Sequence, residues 1–161
     1  MALTAAAGLS ACGGDDGAPT QPLVGDIAPA MTALDAELGG PQQFFEVNAT
    51  PQVVNLFVAT GGGTGVTPFV YVGDELAPAG DPSTAEGNTF GASAVRFDPA
   101  TVLDQLRTEL PESDVVLFTV VGGPDGALQY SAAVQSDEGG VLDVVLGADG
   151  AVQSVTPAVD S

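Results

Sequence analysis

The chain has 161 residues, of which 21 are acidic and only two are basic, so its formal net charge is −19. This charge repels phosphate backbones, which excludes nucleic acids as partners. Histidine and lysine are absent from the sequence, which excludes Ser-His and Cys-His nucleophile pairs, Schiff-base catalysis, P-loops and metal sites of the Cys/His kind.

The N-terminal segment contains the only cysteine of the chain, at the end of a box of four residues: Leu9, Ser10, Ala11 and Cys12. This box resembles that of bacterial lipoproteins, in which small residues precede a cysteine that becomes acylated. The resemblance implies a signal peptide, residues 1–11, and a lipid anchor on Cys12 that holds the protein at the extracytoplasmic face of the cell membrane. Residues 1–8 contain no Lys or Arg. This leaves two alternatives, a coding start upstream of Met1 or a chance match at a free thiol.

Residues 12–25 are predicted to form a flexible acidic tether that begins at the lipidated cysteine. The run Gly13–Gly25 is rich in glycine, proline and aspartate and poor in large apolar side chains, a composition that does not build a core. No stretch of the sequence approaches the roughly 20 apolar residues that span a bilayer, so lipid on Cys12 is the expected membrane attachment. The abundance of Ala, Gly, Val, Asp and Pro is typical of a GC-rich genome, such as an actinobacterial one.

The apolar pattern that follows the tether recurs in the second half of the chain. Leu34 matches Leu106 at a spacing of 72 residues, and the spacing grows only to 75 by the end of the pattern. Such a small drift favours an internal duplication, with a first repeat and linker at 26–88 and a second repeat at 89–161. The alternative is that two halves containing helices and strands share a similar rhythm.

Each half is predicted to begin with a helix that carries one apolar stripe. In the first, the stripe runs from Ile27 to Leu38, and two glycines and a proline then end the helix. In the second, Asp98 is a predicted N-cap, Pro99 occupies the first helical position, and the stripe ends at Leu110. Helices of this length are marginal in water, so both are expected to dock on a sheet.

Six main strands are predicted, three after each helix: 44–49, 52–60 and 66–73, then 115–121, 127–135 and 141–146. A further strand is predicted at 89–97, after the loop 77–88, and another near the end of the chain, through Val155. Short glycine-rich connections favour antiparallel pairing, and alternating apolar residues favour one covered face. The expected fold class is α+β, a tandem repeat of a helix followed by three to four antiparallel strands, with the helix packed on the sheet.

Carboxylates are the remaining side chains with catalytic or metal-binding potential: Asp125, Asp137, Glu138 and Asp149. Such residues could form a glycosidase-like pair or an oxygen-only calcium site. Each lies in a predicted glycine-containing turn, so turn formation is the favoured interpretation. We therefore predict no catalytic residue, no metal and no cofactor, and we expect that the protein is not an enzyme.

The two basic residues, Arg96 and Arg107, are candidates for binding a protein partner because they are so scarce. Either guanidinium could hold an anionic group. Arg107 lies within reach of Asp104 on the second helix, a weak surface pairing. A solvated surface position is the favoured alternative for both arginines.

The segment 101–157 resembles a PepSY-type unit in its helix at 102–110, its strand around Tyr130–Val134 and its closing run Val144–Val152. PepSY-type units place a helix across an antiparallel sheet. A tandem pair of helix-plus-sheet units is also similar to the architecture of the bacterial β-lactamase inhibitor proteins. The resemblance implies an exported, non-catalytic module that binds or restrains another protein, for instance a peptidase.

The leading functional hypothesis is a non-enzymatic cell-envelope lipoprotein that presents an acidic α+β module to a protein partner, in an inhibitory or regulatory role. The alternative is a carrier or sensor of a small apolar molecule held between helix and sheet. That alternative is suggested by the strand 52–60, which is apolar on both faces, and by four aromatic candidate ligand residues: Phe57, Phe69, Tyr71 and Phe90. The sequence leaves the partner's identity and the oligomeric state open.

Overall fold

The computed structural model describes residues 21–137 and 139–158. The predicted lipobox, with Leu9, Ser10, Ala11 and Cys12, lies outside the described residues, as do most of the predicted tether and Glu138. Neither described α-helix is long and apolar enough to cross a membrane.

Two α-helices and ten β-strands are formed by the described residues: α1 Ile27–Glu37, β1 Gln43–Ala49, β2 Val54–Thr60, β3 Gly65–Val72, β4 Glu75–Pro78, β5 Ser83–Thr84, β6 Phe90–Gly91, α2 Pro99–Glu109, β7 Ser113–Gly122, β8 Leu128–Ser136, β9 Val141–Leu146 and β10 Val152–Pro157. The six main predicted strands all form, with ends within two residues of those predicted. The predicted strand at 89–97 is wrong. Only Phe90 and Gly91 pair with β1, after which the chain enters a 3-10 turn at Ala92–Ala94.

The N-terminus of α2 is capped as the sequence predicts. The Asp98 carboxylate accepts a hydrogen bond from the backbone N–H of Thr101 at 2.7 Å, and Pro99 lies in the first turn. Because this hydrogen bond stabilises the ionised carboxylate, it lowers the pKa of Asp98 below its ordinary value. The cap therefore fixes the start of α2 at the predicted residue.

The N-terminus of α1 is built differently. The helix continues from a 3-10 turn, Val24–Asp26, and the Asp26 side chain makes no capping hydrogen bond. At the other end the helix stops at Glu37, and Gly39 follows with a φ of +78°. Leu38 therefore leaves the apolar stripe in which it was predicted to lie and is 45% exposed.

All the strand pairs are antiparallel. Eight strands form one path in the order β10-β9-β8-β7-β1-β2-β3-β4, while β5 pairs with β3 and β6 with β1. The centre of the sheet is the pairing of β1 with β7, in which Val47 lies opposite Val120. The strands of both halves of the chain therefore share a single ladder.

The predicted fold class, an α+β tandem repeat of a helix followed by three to four strands, is wrong. The described chain is mostly one ten-stranded antiparallel sheet with two helices of 11 residues each. A sheet of three or four strands would leave two edges of unpaired N–H and C=O groups. Pairing β1 with β7 removes one such edge from each half, and the predicted loop at 77–88 contributes the further strand β5.

One face of the sheet is covered by both helices and forms the core. The register places an apolar row across this face: Leu76, Tyr71, Val54, Ala49, Phe118, Ala132, Val144 and Val155. Met31 and Leu34 of α1 and Leu106 of α2 are fully buried in the same hydrophobic cluster. Burial of each such side chain stabilises the fold by about 1.5–3 kcal/mol, which fixes both helices here. We call this side the helix face and the opposite side the open face.

Candidate functional site

The open face is the side of the sheet against which neither described helix packs. The register places one row of side chains across its middle: Ala77, Val70, Asn55, Asn48, Thr119, Ser131, Val145 and Ser154. The four central positions of this row, from Asn55 to Ser131, are polar, whereas the matching row on the helix face is apolar. Adjacent strands lie about 4.8 Å apart, so the eight strands span roughly 34 Å.

Glu46 lies at the centre of the next row of the open face because of a β-bulge in β1. Phe44 faces the core, and in a regular strand Glu46, two residues later, would face the core as well. The register between β1 and β2 shifts between these two residues, and this bulge turns Glu46 to the open face. There the carboxylate is half-buried, directly opposite Phe57 on β2 and Val121 on β7.

A chain of side-chain hydrogen bonds ends on the Glu46 carboxylate. Nδ2 of Asn55 donates to Oδ1 of Asn48 at 2.8 Å, and Nδ2 of Asn48 donates to Oε1 of Glu46 at 2.6 Å. Both amide donors are thus oriented toward the negative charge. Within the described part of the chain, no group donates to the second carboxylate oxygen of Glu46, which leaves it able to accept a hydrogen bond from a partner.

The charge of the open face has one sign. Glu75, Asp114 and Asp143 also lie on it, because each pairs with a residue that faces away from the core. Neither arginine belongs to a strand, and the sequence has no other basic residue. The face therefore combines carboxylates with half-buried apolar side chains and contains no cation of its own.

This arrangement is suited to binding. Among the described residues, no group of three or more His, Cys, Asp and Glu side chains is placed to hold a metal ion. A carboxylate with oriented amide donors and apolar neighbours can accept a hydrogen bond from a cationic group and exclude water around it. No family model, curated protein or solved structure matches this chain. Function is therefore inferred from the geometry of the face.

The four aromatic residues predicted to bind an apolar ligand do not share one site. Phe57 is half-buried on the open face, whereas Tyr71 and Phe90 are buried on the helix face and Phe69 packs against the same core. Phe90 packs against Phe44 with ring centroids 6.0 Å apart and the rings tilted by 37°. Four clefts in the described part of the chain are lined by other residues.

Tyr71 has one polar contact, at the edge of the core. Its hydroxyl donates to Oδ1 of Asp74 at 2.8 Å. Asp74 lies in the turn between β3 and β4 with a φ of +69°. The hydrogen bond to Asp74 raises the pKa of Tyr71, and burial and the negative charge of Asp74 act in the same direction, because all three favour the neutral phenol.

The two arginines predicted to bind a partner lie at opposite ends of α2. Arg96 is exposed and precedes the Asp98 cap by two residues. Arg107 lies in the last turn, where its Nη1 contacts Oδ1 of Asp104 at 2.7 Å with both side chains largely exposed. They do not form a joint anion site, since the eight helical steps from Pro99 to Arg107 alone rise by about 12 Å.

Sequence reasoning missed the residues of the open face: Glu46, Asn48 and Asn55. A signal for them exists, because each is a polar residue with an apolar residue on either side of it in its strand. The apolar phase of β1 also changes between Phe44 and Val47, which indicates the bulge. The polar residues and the phase change together could have located the site.

Proposed function

We propose that the protein is a non-enzymatic cell-envelope lipoprotein, anchored through acylated Cys12, whose open face binds a cationic protein partner. The observation that carries the proposal is the half-buried carboxylate of Glu46 between Phe57 and Val121, on a face without a basic residue. A Lys or Arg side chain of the partner would neutralise Glu46 and cover its apolar neighbours.

The dimensions of the open face favour a protein over a small molecule as its ligand. The face measures roughly 34 Å across the strands and about 20 Å along them. The area given by these two lengths approaches the ~800 Å² that each partner buries in a standard protein–protein interface. A small ligand is usually bound in a concave pocket instead.

Electrostatics supports a partner of opposite charge. The formal net charge of −19 accelerates the encounter with a cationic protein and keeps the domain away from anionic headgroups. Once a partner covers Glu46 and its apolar neighbours, water is excluded from the contact, which strengthens the ion pair relative to one on an open surface. A tether of the predicted length has a mean reach of about 20 Å, enough to hold the domain above a membrane surface.

The binding proposal is tested with the full-length chain as bait in envelope extracts, at low and high salt. We expect at least one basic protein to be retained at low salt and released at high salt. Glu46→Gln should abolish its retention, while Glu37→Gln, which makes the same charge change at an exposed site on α1, should leave retention unchanged. Equal retention by both variants, or no retained partner, would refute the proposal.

The anchor is tested separately by intact-mass analysis of the membrane fraction. Wild-type protein should carry the mass of acyl chains on Cys12, and Cys12→Ala should leave the membrane fraction. An unmodified wild-type mass would remove the membrane part of the proposal and leave the binding part standing.

A further inference from the structure

The two edges of the described sheet differ in how they are protected. At one end, β4 has only four residues, begins with Glu75 and ends with Pro78, and β5 pairs beside it on β3. At the other end, β10 has six residues, no charge, and five exposed positions. Short strands, charges and prolines are the usual means of preventing strand addition, and β10 uses only one proline, at its end.

The backbone of β10 presents hydrogen-bonding groups outward. The N–H of Ala158 donates to the carbonyl of Val141 at 2.8 Å. Bonded and non-bonded pairs alternate along an antiparallel ladder, so Thr156 and Ser154 bond to β9, and the N–H and C=O of Val155 are directed away from it. An incoming strand would find a donor and an acceptor at this residue.

The apolar row of the helix face ends at the same residue. Val155 lies opposite Val144, which is fully buried, yet Val155 itself is 42% exposed. An apolar side chain on a strand added beyond β10 would continue the row and cover Val155. The side chains and the backbone of this edge therefore both favour the same ligand, an added strand with an apolar side chain over Val155.

A cleft of about 570 Å³ adjoins the start of β10. One side is α2, with Gln105, Thr108 and Glu109, and the other is the beginning of β10 at Val152. Glu109 makes no ion pair within the described residues, in contrast to Asp104, which contacts an arginine. A basic side chain on the added strand could reach Glu109 through this cleft.

We propose that β10 binds an extended segment of a partner protein as an additional strand, with an apolar side chain over Val155 and a basic side chain in the cleft beside α2. A second copy of this chain is a poor occupant, because each copy has a net charge of −19 and Val152–Pro157 has no basic residue. This inference concerns a surface separate from the open face and does not rest on the proposed function.

The test uses the full-length chain and a synthetic probe, the acetylated and amidated heptapeptide Val-Thr-Val-Thr-Lys-Thr-Lys. Two control peptides have identical side chains but are N-methylated on alternate residues, in one phase or the other. An added strand directs only one set of alternate N–H groups toward β10. We expect one control to bind about tenfold or more weakly and the other to bind within about threefold of the parent peptide. Hydrogen exchange of the Val155 amide should slow when the parent peptide binds.

Variants of the edge complete the test. Val155→Pro removes the outward N–H without removing a hydrogen bond to β9, and should weaken peptide binding about tenfold with unchanged circular dichroism. Val155→Ile keeps both the N–H and the apolar side chain and should bind like wild type. Equal binding by both N-methylated peptides, wild-type affinity in Val155→Pro, or protection of the Val155 amide by self-association without peptide would each overturn the inference.

Discussion

The two faces of the sheet are made by the same strands and differ in what alternate residues do. On the helix face the side chains are apolar and packed, and no polar or charged residue is buried in the described part of the chain. On the open face the intervening positions carry an amide chain that ends on Glu46. The free energy of folding therefore comes mainly from the helix face, whereas we propose that the open face serves recognition.

The largest expected effect is on the free energy of unfolding, when a phenylalanine of the helix face is replaced by alanine. The same replacement on the open face provides the comparison. Phe118 is fully buried on the helix face and lies 5.2 Å, between ring centroids, from Phe97. Phe118→Ala should lower the free energy of unfolding by about 3–5 kcal/mol, because it removes buried area and leaves a cavity. Phe57→Ala, on the half-buried open face, should lower it by about 1 kcal/mol. Urea denaturation followed by circular dichroism measures both values.

The same pair of variants separates the two roles. Phe57→Ala should reduce retention of the basic partner more than its small loss of stability explains, because Phe57 lies beside Glu46. If Phe57→Ala destabilised the protein as much as Phe118→Ala, the open face would be a second core, and the contrast between the faces would be lost.

A smaller effect is expected from cutting the amide chain. Asn48→Ala removes the acceptor for Asn55 and the donor to Glu46. Since all three residues are half-buried and water can replace part of the bonding, unfolding free energy should fall by only about 0.5–1.5 kcal/mol. Partner retention should fall by more than this loss of stability explains. Asn88→Ala makes the same change at an exposed side chain whose backbone bridges to Gly122; because the backbone bridge is kept, this matched control should alter neither stability nor retention.

The helix face could be predicted from the sequence to a large extent. The alternation in 127–135 places Tyr130, Ala132 and Val134 on one side, and the structure buries all three. The cap at Asp98 follows from local chemistry alone, and strand 141–146 has the predicted ends. These features depend on residues close in the chain, which is the information that periodicity and capping patterns contain.

Strand partners and the open-face site depend on contacts distant in the chain. Nothing in the period-two pattern of β1 specifies that β7, more than 60 residues later, is its neighbour, because any apolar strand edge could pair there. Glu46 reaches the open face only through a bulge, and its approach to Asn55 requires the register of β1 with β2. The Ser-Thr pair of β5 is too short to form a recognisable strand pattern.

The smallest expected effect concerns the polar contact at the rim of the helix face, between Tyr71 and Asp74. Because the hydrogen bond to Asp74 raises the pKa of Tyr71 in the folded state, its contribution to stability is fully present below the unfolded pKa of about 10. That contribution is lost as pH rises through the folded pKa, so the free energy of unfolding should decline at alkaline pH.

The titration of Tyr71 is measured by ultraviolet absorbance. The chain has two tyrosines, so subtracting the ultraviolet titration of Tyr71→Phe from that of wild type isolates Tyr71. Asp74→Asn tolerates the positive φ and removes the charge, and should move the Tyr71 titration to lower pH. An unchanged titration in Asp74→Asn would mean that the phenol is held neutral by burial on the helix face, and the rim contact would then belong to the core.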